Sequence, residues 1–175
     1  MKHTVKRIWN GITTLLVSLL AALVLLVWGA RWAGFEIFIV QSGSMEPAYP
    51  VGALVYVKPA DVNELRAGDV ITFEMGGGVR GTHRIHDVLM EDGALSFVTK
   101  GDSNELPDAN PVKAQDIVGK VRFSVPKLGF LISCIQQPAG RFAAICGAAL
   151  LVVLTIMPDV LFPEEKKSKK RGQAK

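Results

Sequence analysis

The segment SGSMEP at residues 42–47 places two serines on either side of one glycine. A serine hydroxyl attacks a carbonyl efficiently only when a base accepts its proton and donors stabilise the resulting oxyanion. Ser44 is the candidate nucleophile, and Ser42 offers a second hydroxyl beside it. Pro47 restricts its own backbone and favours an extended Glu46, which would hold this loop in one conformation. Ser, Gly and Pro are also ordinary turn residues, so the motif alone fits a polar turn equally well.

The candidate bases are two histidines in the segment GTHRIH at residues 81–86. If this segment is a strand, His83 and His86 point to opposite faces, so at most one of them meets Ser44. Alternation does not select between them, and two partly exposed histidines without a catalytic role remain the alternative. A metal pair is disfavoured because strand geometry separates the two rings and no further Cys or His lies near them. We therefore predict no metal site.

Two aspartates in the segment TKGDSNELPD at residues 99–108 are candidates for a third catalytic role. Either Asp102 or Asp108 can accept a hydrogen bond from the base imidazole and hold its tautomer. Turn chemistry alone would also explain Asp102, because Gly-Asp-Ser-Asn is a common turn sequence.

These residues lie between two apolar segments. Residues 8–30 carry no charge, and as a helix rising about 1.5 Å per residue they would cross a hydrocarbon core of roughly 30 Å. Residues 142–162 form a second, shorter candidate span. The first segment exceeds the apolar length of a cleaved signal, and Trp28 and Trp32 are typical interfacial anchors, so we expect an uncleaved anchor.

Charge placement predicts the topology. Lys and Arg collect in both terminal flanks, residues 1–7 and 163–175, as is typical of cytoplasmic ends. We therefore expect both termini to be cytoplasmic, residues 31–141 to be extracytoplasmic and the lipid bilayer to be a partner. The net charge of +4 is largely explained by these flanks, so no nucleic-acid partner is predicted.

The extracytoplasmic segment has the pattern of an antiparallel β domain. Short apolar and β-branched segments alternate with Gly and Pro turns, which predicts strands at residues 35–40, 54–57, 70–73, 82–90, 95–99 and 117–123. The predicted fold is mainly β, an antiparallel sheet or barrel-like catalytic domain flanked by one N-terminal and one C-terminal transmembrane helix. Residues 128–137 are apolar but too short to span, and either an interfacial segment or part of the domain core fits them.

Four blocks of this chain together resemble the type I signal peptidases, membrane-bound serine peptidases that remove signal peptides from exported proteins. The blocks are SGSMEP at residues 42–47, GDVITF at 68–73, GTHRI at 81–85 and TKGDSN at 99–104. The third block has histidine where the common bacterial enzymes carry a catalytic lysine. It is therefore similar to the endoplasmic-reticulum and archaeal branch, which also has members in Gram-positive bacteria.

The resemblance implies a role for each matching residue. Ser44 would be the nucleophile, Ser42 would assist the oxyanion hole with the Ser44 backbone, and His83 would be the general base. Asp108 would be the acidic member and Asp102 would support it, although residues 105–107 depart from the family pattern and leave the choice between the two aspartates open. The implied partners are signal-peptide-bearing preproteins and possible accessory subunits, and no cofactor is implied.

Two other interpretations remain. In the first, the chain is a non-enzymatic membrane-anchored β domain, a secretion or assembly subunit in which Ser44 is only a turn residue. In the second, it is a Ser–Lys peptidase that uses Lys58 or Lys100 as the base.

Overall fold

The computed structural model describes residues 2–91 and 93–161. The predicted basic tail at residues 163–175, Phe162 at the end of the predicted second span, and Met1 of the N-terminal flank lie outside the described residues. The chain divides into two compact units, Met1–Leu23 with Pro138–Lys175, and Val24–Gln137.

The first unit contains the described parts of two long apolar helices, α1 (Lys2–Val24) and α4 (Pro138–Leu161). Trp9 Nε1 of α1 donates a hydrogen bond to the Leu154 carbonyl of α4 at 2.8 Å. Among the described residues, two segments are able to cross a membrane by length and composition, Thr4–Trp32 and Pro138–Pro158. These segments contain the predicted span at residues 8–30 and most of the one at residues 142–162.

After Val24, the last residue of α1, the second unit contains a π-helical turn (Leu25–Gly29) and a short helix α2 (Ala30–Trp32), and continues into a sheet. The seven strands are β1 (Glu36–Ile39), β2 (Leu54–Lys58), β3 (Val70–Gly76), β4 (Val79–Glu91), β5 (Ala94–Lys100), β6 (Val112–Lys113) and β7 (Ile117–Val125). Their order in the sheet is β1-β2-β7-β3-β4-β5-β6, and every pair is antiparallel.

This topology confirms the antiparallel sheet but corrects two parts of the predicted fold. The sheet is not closed, because β1 and β6 remain as its two edges, whereas a barrel requires its first and last strands to pair. The described part of the chain is also not mainly β, since α1 and α4 have 23 and 24 residues, as many as its seven strands together.

Six of the seven strands lie where the alternating pattern predicts them. The glycine-rich breaker at residues 76–78 is the β3–β4 hairpin loop, where Gly77 and Gly78 have φ of 62° and 77°, values that favour glycine. The sequence missed β6, because a strand of two residues has no alternation to detect.

The core forms two clusters on either side of the sheet, since neighbouring strand residues point to opposite faces. Neighbours on β3 illustrate this, because Val70 belongs to one cluster and Ile71 to the other. One cluster is Leu65, Ile71, Phe73, Ile85, Phe97 and Val112; the other is Met45, Val55, Val57, Val70 and Val121. Met45, which follows Ser44 directly, is only 2% exposed. The second cluster therefore anchors the segment that carries the candidate nucleophile.

Helix α3 (Leu128–Gln136) packs on the sheet domain along one side. The Gly129 N–H donates to the Gly52 carbonyl at 2.9 Å, and a Cβ on Gly129 would lie 2.7 Å from that oxygen. The apolar side chains of Leu131 and Ile135 are exposed on α3. Part of this segment thus belongs to the domain, and an interfacial position for its exposed part stays a prediction.

Candidate active site

Ser44 lies in a single 3₁₀ turn, Gly43–Met45, between β1 and β2. The Glu46 N–H closes this turn on the Gly43 carbonyl at 3.0 Å, and Glu46 itself is extended, as the following proline favours. The Ser42 and Ser44 hydroxyl oxygens are 3.3 Å apart. With Met45 buried beneath, the turn presents both hydroxyls at one place.

His83 brings an imidazole to Ser44 from the neighbouring strands. It lies on β4 opposite Ile71 of β3, and its side chain is 15% exposed. Its Nε2 is 3.2 Å from Ser44 Oγ, and its ring makes a T-shaped contact with the Phe73 ring, with centroids 6.2 Å apart. The Phe73 contact limits the orientations open to the imidazole.

The other ring nitrogen meets Asp108. His83 Nδ1 lies 2.6 Å from Asp108 Oδ2, and the fully buried Thr99 donates its hydroxyl to the same oxygen at 2.6 Å. The Asp108 N–H also donates to the Thr99 carbonyl at 2.8 Å, which ties the loop carrying Asp108 to β5. A carboxylate accepts only from an Nδ1–H, so this partner selects the tautomer in which Nε2 is free to accept the Ser44 proton.

Asp102 has a different partner, Arg84. The guanidinium binds it in a fork, with Nε 2.8 Å from Oδ1 and a terminal nitrogen 2.7 Å from Oδ2. A further Arg84 nitrogen donates to the Gly68 carbonyl at 2.8 Å. The hydrogen bond to Asp102 raises the pKa of the Arg84 guanidinium above its ordinary value. The structure thus separates the two aspartates that the sequence left open, and only Asp108 contacts His83.

The remaining candidates lie elsewhere in the domain. His86 is exposed where the β4–β5 register shifts between Ile85 and Asp87. It lines a cavity of about 220 Å³ with Lys100 and Asp102. The Lys58 ammonium lies 5.6 Å from the centroid of the Phe35 ring. Of the candidate bases, His83 is the one that the structure brings into hydrogen-bonding distance of Ser44.

A larger cavity of about 600 Å³ opens beside this group. Thr99, Asp108 and Phe73 form part of its wall, together with the acidic side chains of Glu74 and Asp116. It adjoins the group on the side of Asp108 and Thr99, and neither Ser44 nor His83 lines it.

Thr99 and Arg84 were missed as site residues by the sequence reasoning. Both lie in blocks that carry the resemblance, but a threonine and an arginine in strands have many ordinary roles. Their partners are set by strand register, with Ile85 opposite Thr99 and Arg84 opposite Lys100. Strand alternation gives one signal that could have found Arg84. Because Arg84 follows His83 directly, its side chain must point to the opposite face of the sheet.

The chain is similar in sequence to proteins of known function. No family model matches the chain. Over 120 residues it is 38% identical to "Signal peptidase I W" of Bacillus subtilis (strain 168), an alignment that covers 64% of this chain and 63% of that protein. Over 128 residues it is 33% identical to "Signal peptidase complex catalytic subunit SEC11C" of Homo sapiens, covering 66% of this chain and 67% of the relative. The SEC11 subunit of Scheffersomyces stipitis is 34% identical over 131 residues, 66% of this chain and 76% of the relative.

The chain belongs to the signal peptidase family. It falls in the branch that contains both signal peptidase W and the SEC11 catalytic subunits. This membership confirms the family predicted from the four sequence blocks, and with it the prediction of a hydrolase. The catalytic roles of individual residues stay predictions.

Proposed function

We propose that this signal peptidase removes N-terminal signal peptides from exported preproteins, with Ser44 as nucleophile, His83 as general base and Asp108 as the group that orients the base. The observation that carries the proposal is the chain of contacts from Ser44 Oγ to His83 at 3.2 Å and from His83 to Asp108 at 2.6 Å. Homology to enzymes named signal peptidases supports the choice of substrate.

Acylation begins when Ser44 Oγ attacks the carbonyl carbon of the scissile bond and His83 Nε2 takes the hydroxyl proton. The Asp108 carboxylate stabilises the imidazolium that forms, and the Thr99 hydroxyl keeps that carboxylate in place. The imidazolium then gives its proton to the departing amine, which becomes the N-terminus of the mature protein. The signal peptide remains esterified to Ser44.

Deacylation repeats these steps with water as the nucleophile. His83 takes a proton from the water molecule as it attacks the ester, and returns it to Ser44 Oγ as the acyl group leaves. One water molecule is consumed for each peptide bond that is cleaved, and Ser44 and His83 return to their starting protonation states.

Each tetrahedral intermediate carries an oxyanion, for which two donors are proposed. They are the Ser44 backbone N–H and the Ser42 hydroxyl, and the 3.3 Å between the two serine oxygens supports a position for Ser42 beside the reacting carbon. Asp102 is assigned a supporting role through Arg84 rather than direct contact with the base.

Substrate binding is proposed to use an extended backbone. The strand β1 is a sheet edge that leads towards the Ser44 turn, so its free side can pair with a peptide as an added strand. The family resemblance adds the preference for Ala-like side chains at the first and third positions before the cut.

The topology completes the proposal. Residues 8–30 and 142–162 would cross the bilayer and residues 31–141 would lie outside, with the flanks 1–7 and 163–175 in the cytoplasm. The basic flanks support this orientation. A signal peptide lies in the same bilayer, so cleavage would occur at the outer membrane surface. Since the SEC11 relatives are named subunits of a complex, accessory subunits are proposed as partners.

The test is cleavage of a purified preprotein by the enzyme in detergent micelles, followed by N-terminal sequencing of the product. Wild type is expected to release the mature protein at a single site after the signal peptide, and Ser44→Ala to release none within the assay limit. Losing a nucleophile removes several orders of magnitude in rate. Equal processing by wild type and Ser44→Ala would refute the proposal.

A further inference from the structure

The turn at residues 101–104 holds the two carbonyl groups that flank the α-carbon of Ser44. The Ser103 hydroxyl donates to the Gly43 carbonyl at 2.7 Å. The Ser103 backbone N–H donates to the Ser44 carbonyl at 2.9 Å. One residue thus binds both peptide groups of the candidate nucleophile.

This turn is fixed independently of the Ser103 side chain. The Asn104 N–H closes it on the Gly101 carbonyl at 3.0 Å, and Arg84 holds Asp102 through two hydrogen bonds. A Cβ on Gly101 would lie 2.7 Å from the Ser44 carbonyl oxygen, closer than real Cβ atoms approach. Only a glycine at position 101 therefore allows the turn to approach the Ser44 backbone this closely. Ser103 itself is exposed. Removing its hydroxyl should therefore leave the domain folded.

The direction of the Ser44 N–H follows from the Ser103 contact. In a planar trans peptide, the C=O of one residue and the N–H of the next point in opposite directions. A Gly43 carbonyl held on the Ser103 hydroxyl therefore turns the Ser44 N–H away from the 101–104 turn. This N–H is one of the two oxyanion donors in the proposed function, and such donors act only when they are aimed before the reaction at the developing charge.

We propose that Ser103 is a positioning residue for catalysis, because its hydroxyl orients the Gly43–Ser44 peptide so that the Ser44 N–H meets the oxyanion. This role rests on the proposed function and adds a residue outside the nucleophile, base and acid. The Glu46 N–H also donates to the Gly43 carbonyl, at 3.0 Å, so one restraint survives when the hydroxyl is removed. The loss should thus be smaller than the factor of about 10²–10³ seen when an oxyanion donor is deleted.

The experiment compares Ser103→Ala, Ser103→Thr and Ser124→Ala on one peptide substrate, with kcat and KM measured separately. Ser124 on β7 is the control for loss of a hydroxyl outside the site. Ser103→Ala should lower kcat about tenfold with KM little changed, because the oxyanion exists only after the substrate has bound. Ser103→Thr should restore kcat, since it returns the hydroxyl, and Ser124→Ala should match wild type. The acid limb of the pH–rate profile should not move, because His83 and Asp108 are untouched.

Several outcomes would overturn this role. They are a wild-type kcat for Ser103→Ala, a Ser103→Thr enzyme as slow as Ser103→Ala, or a change confined to KM. If Ser103→Ala does not fold, a folded but slow Ser103→Thr enzyme would overturn it. Equal cleavage by wild type and Ser44→Ala would instead refute the proposed function. If cleavage is lost in Ser44→Ala but its rate is unchanged in Ser103→Ala, only the role of Ser103 is refuted.

Discussion

Replacing Asp108 with asparagine removes the negative charge beside His83 while keeping an acceptor oxygen of similar shape. The two side chains lie 2.6 Å apart and are mostly buried, with 15% of His83 and 27% of Asp108 exposed. In the transition state His83 becomes an imidazolium. Its attraction to a carboxylate centred about 4 Å away is about 4 kcal/mol at an effective dielectric constant of about 20. Since about 1.4 kcal/mol corresponds to a factor of ten, Asp108→Asn should lower kcat about 10³-fold.

Asp102→Asn is the matched control, because it removes the same charge from the same loop. Asp102 binds Arg84 rather than His83, so no charge that develops during the reaction faces it. Its replacement should lower kcat by about tenfold or less, through movement of the 101–104 turn rather than through the base. The assay is the initial rate of cleavage of one fluorogenic signal-peptide substrate by each variant in micelles.

The reasoning fails if Asp108→Asn retains more than about a tenth of wild-type kcat, since an ion pair of this geometry should be worth more. It also fails if Asp102→Asn is the slower of the two, because Asp102 would then be the acidic member. Thermal unfolding of both variants should be recorded, so that a loss of folded enzyme is not mistaken for a loss of rate.

Three further predictions concern stability, topology and pH. Gly119→Ala should destabilise the domain by about 1–3 kcal/mol, measured as a lower Tm, because the new Cβ would clash with the Lys58 carbonyl oxygen. An unchanged Tm would contradict the close packing of β7. In intact cells, a membrane-impermeant thiol reagent should label a cysteine placed at Gly77 but not one at Gly172, in a cysteine-free background; labelling at Gly172 alone would reverse the topology. The kcat/KM should fall as the medium becomes acidic, because a protonated imidazole cannot accept the Ser44 proton; a lysine base, with an ordinary pKa of about 10.4, would instead lose activity at much higher pH.

The sequence predicts the sheet well where strands are long enough to alternate. Six strands are recognisable from apolar and β-branched residues between glycine and proline breakers, whereas β6, with only two residues, offers no period. Between an antiparallel sheet and a barrel-like domain the sequence did not decide, because the number of strands does not determine whether the two edge strands meet. That depends on tilt and stagger, which a list of strands does not contain.

The site shows where sequence reasoning ends. Strand alternation indicated that only one of His83 and His86 faces Ser44, but the family resemblance was needed to choose His83. Between the two aspartates the sequence could not decide, because both lie in one short loop. The separation depends on Arg84, which reaches Asp102 from the adjacent strand.

The partners of the main residues were the least predictable part. Thr99 supports Asp108 and Ser103 contacts the nucleophile turn, yet each is an ordinary residue in its own segment. Their contacts arise from the pairing of β4 with β5 and from the return of the following loop to the Ser44 turn. Such long-range placement follows from the whole fold rather than from local pattern.

The most direct test of the central claim is to identify the residue that a serine-directed fluorophosphonate modifies, using peptide mapping by mass spectrometry. A serine activated by a neighbouring imidazole predicts one adduct on Ser44, strongly reduced in His83→Ala and retained in His86→Ala. An adduct on another serine would contradict the account. So would labelling of Ser44 that survives His83→Ala but disappears in Lys58→Ala or Lys100→Ala, because the base would then be a lysine.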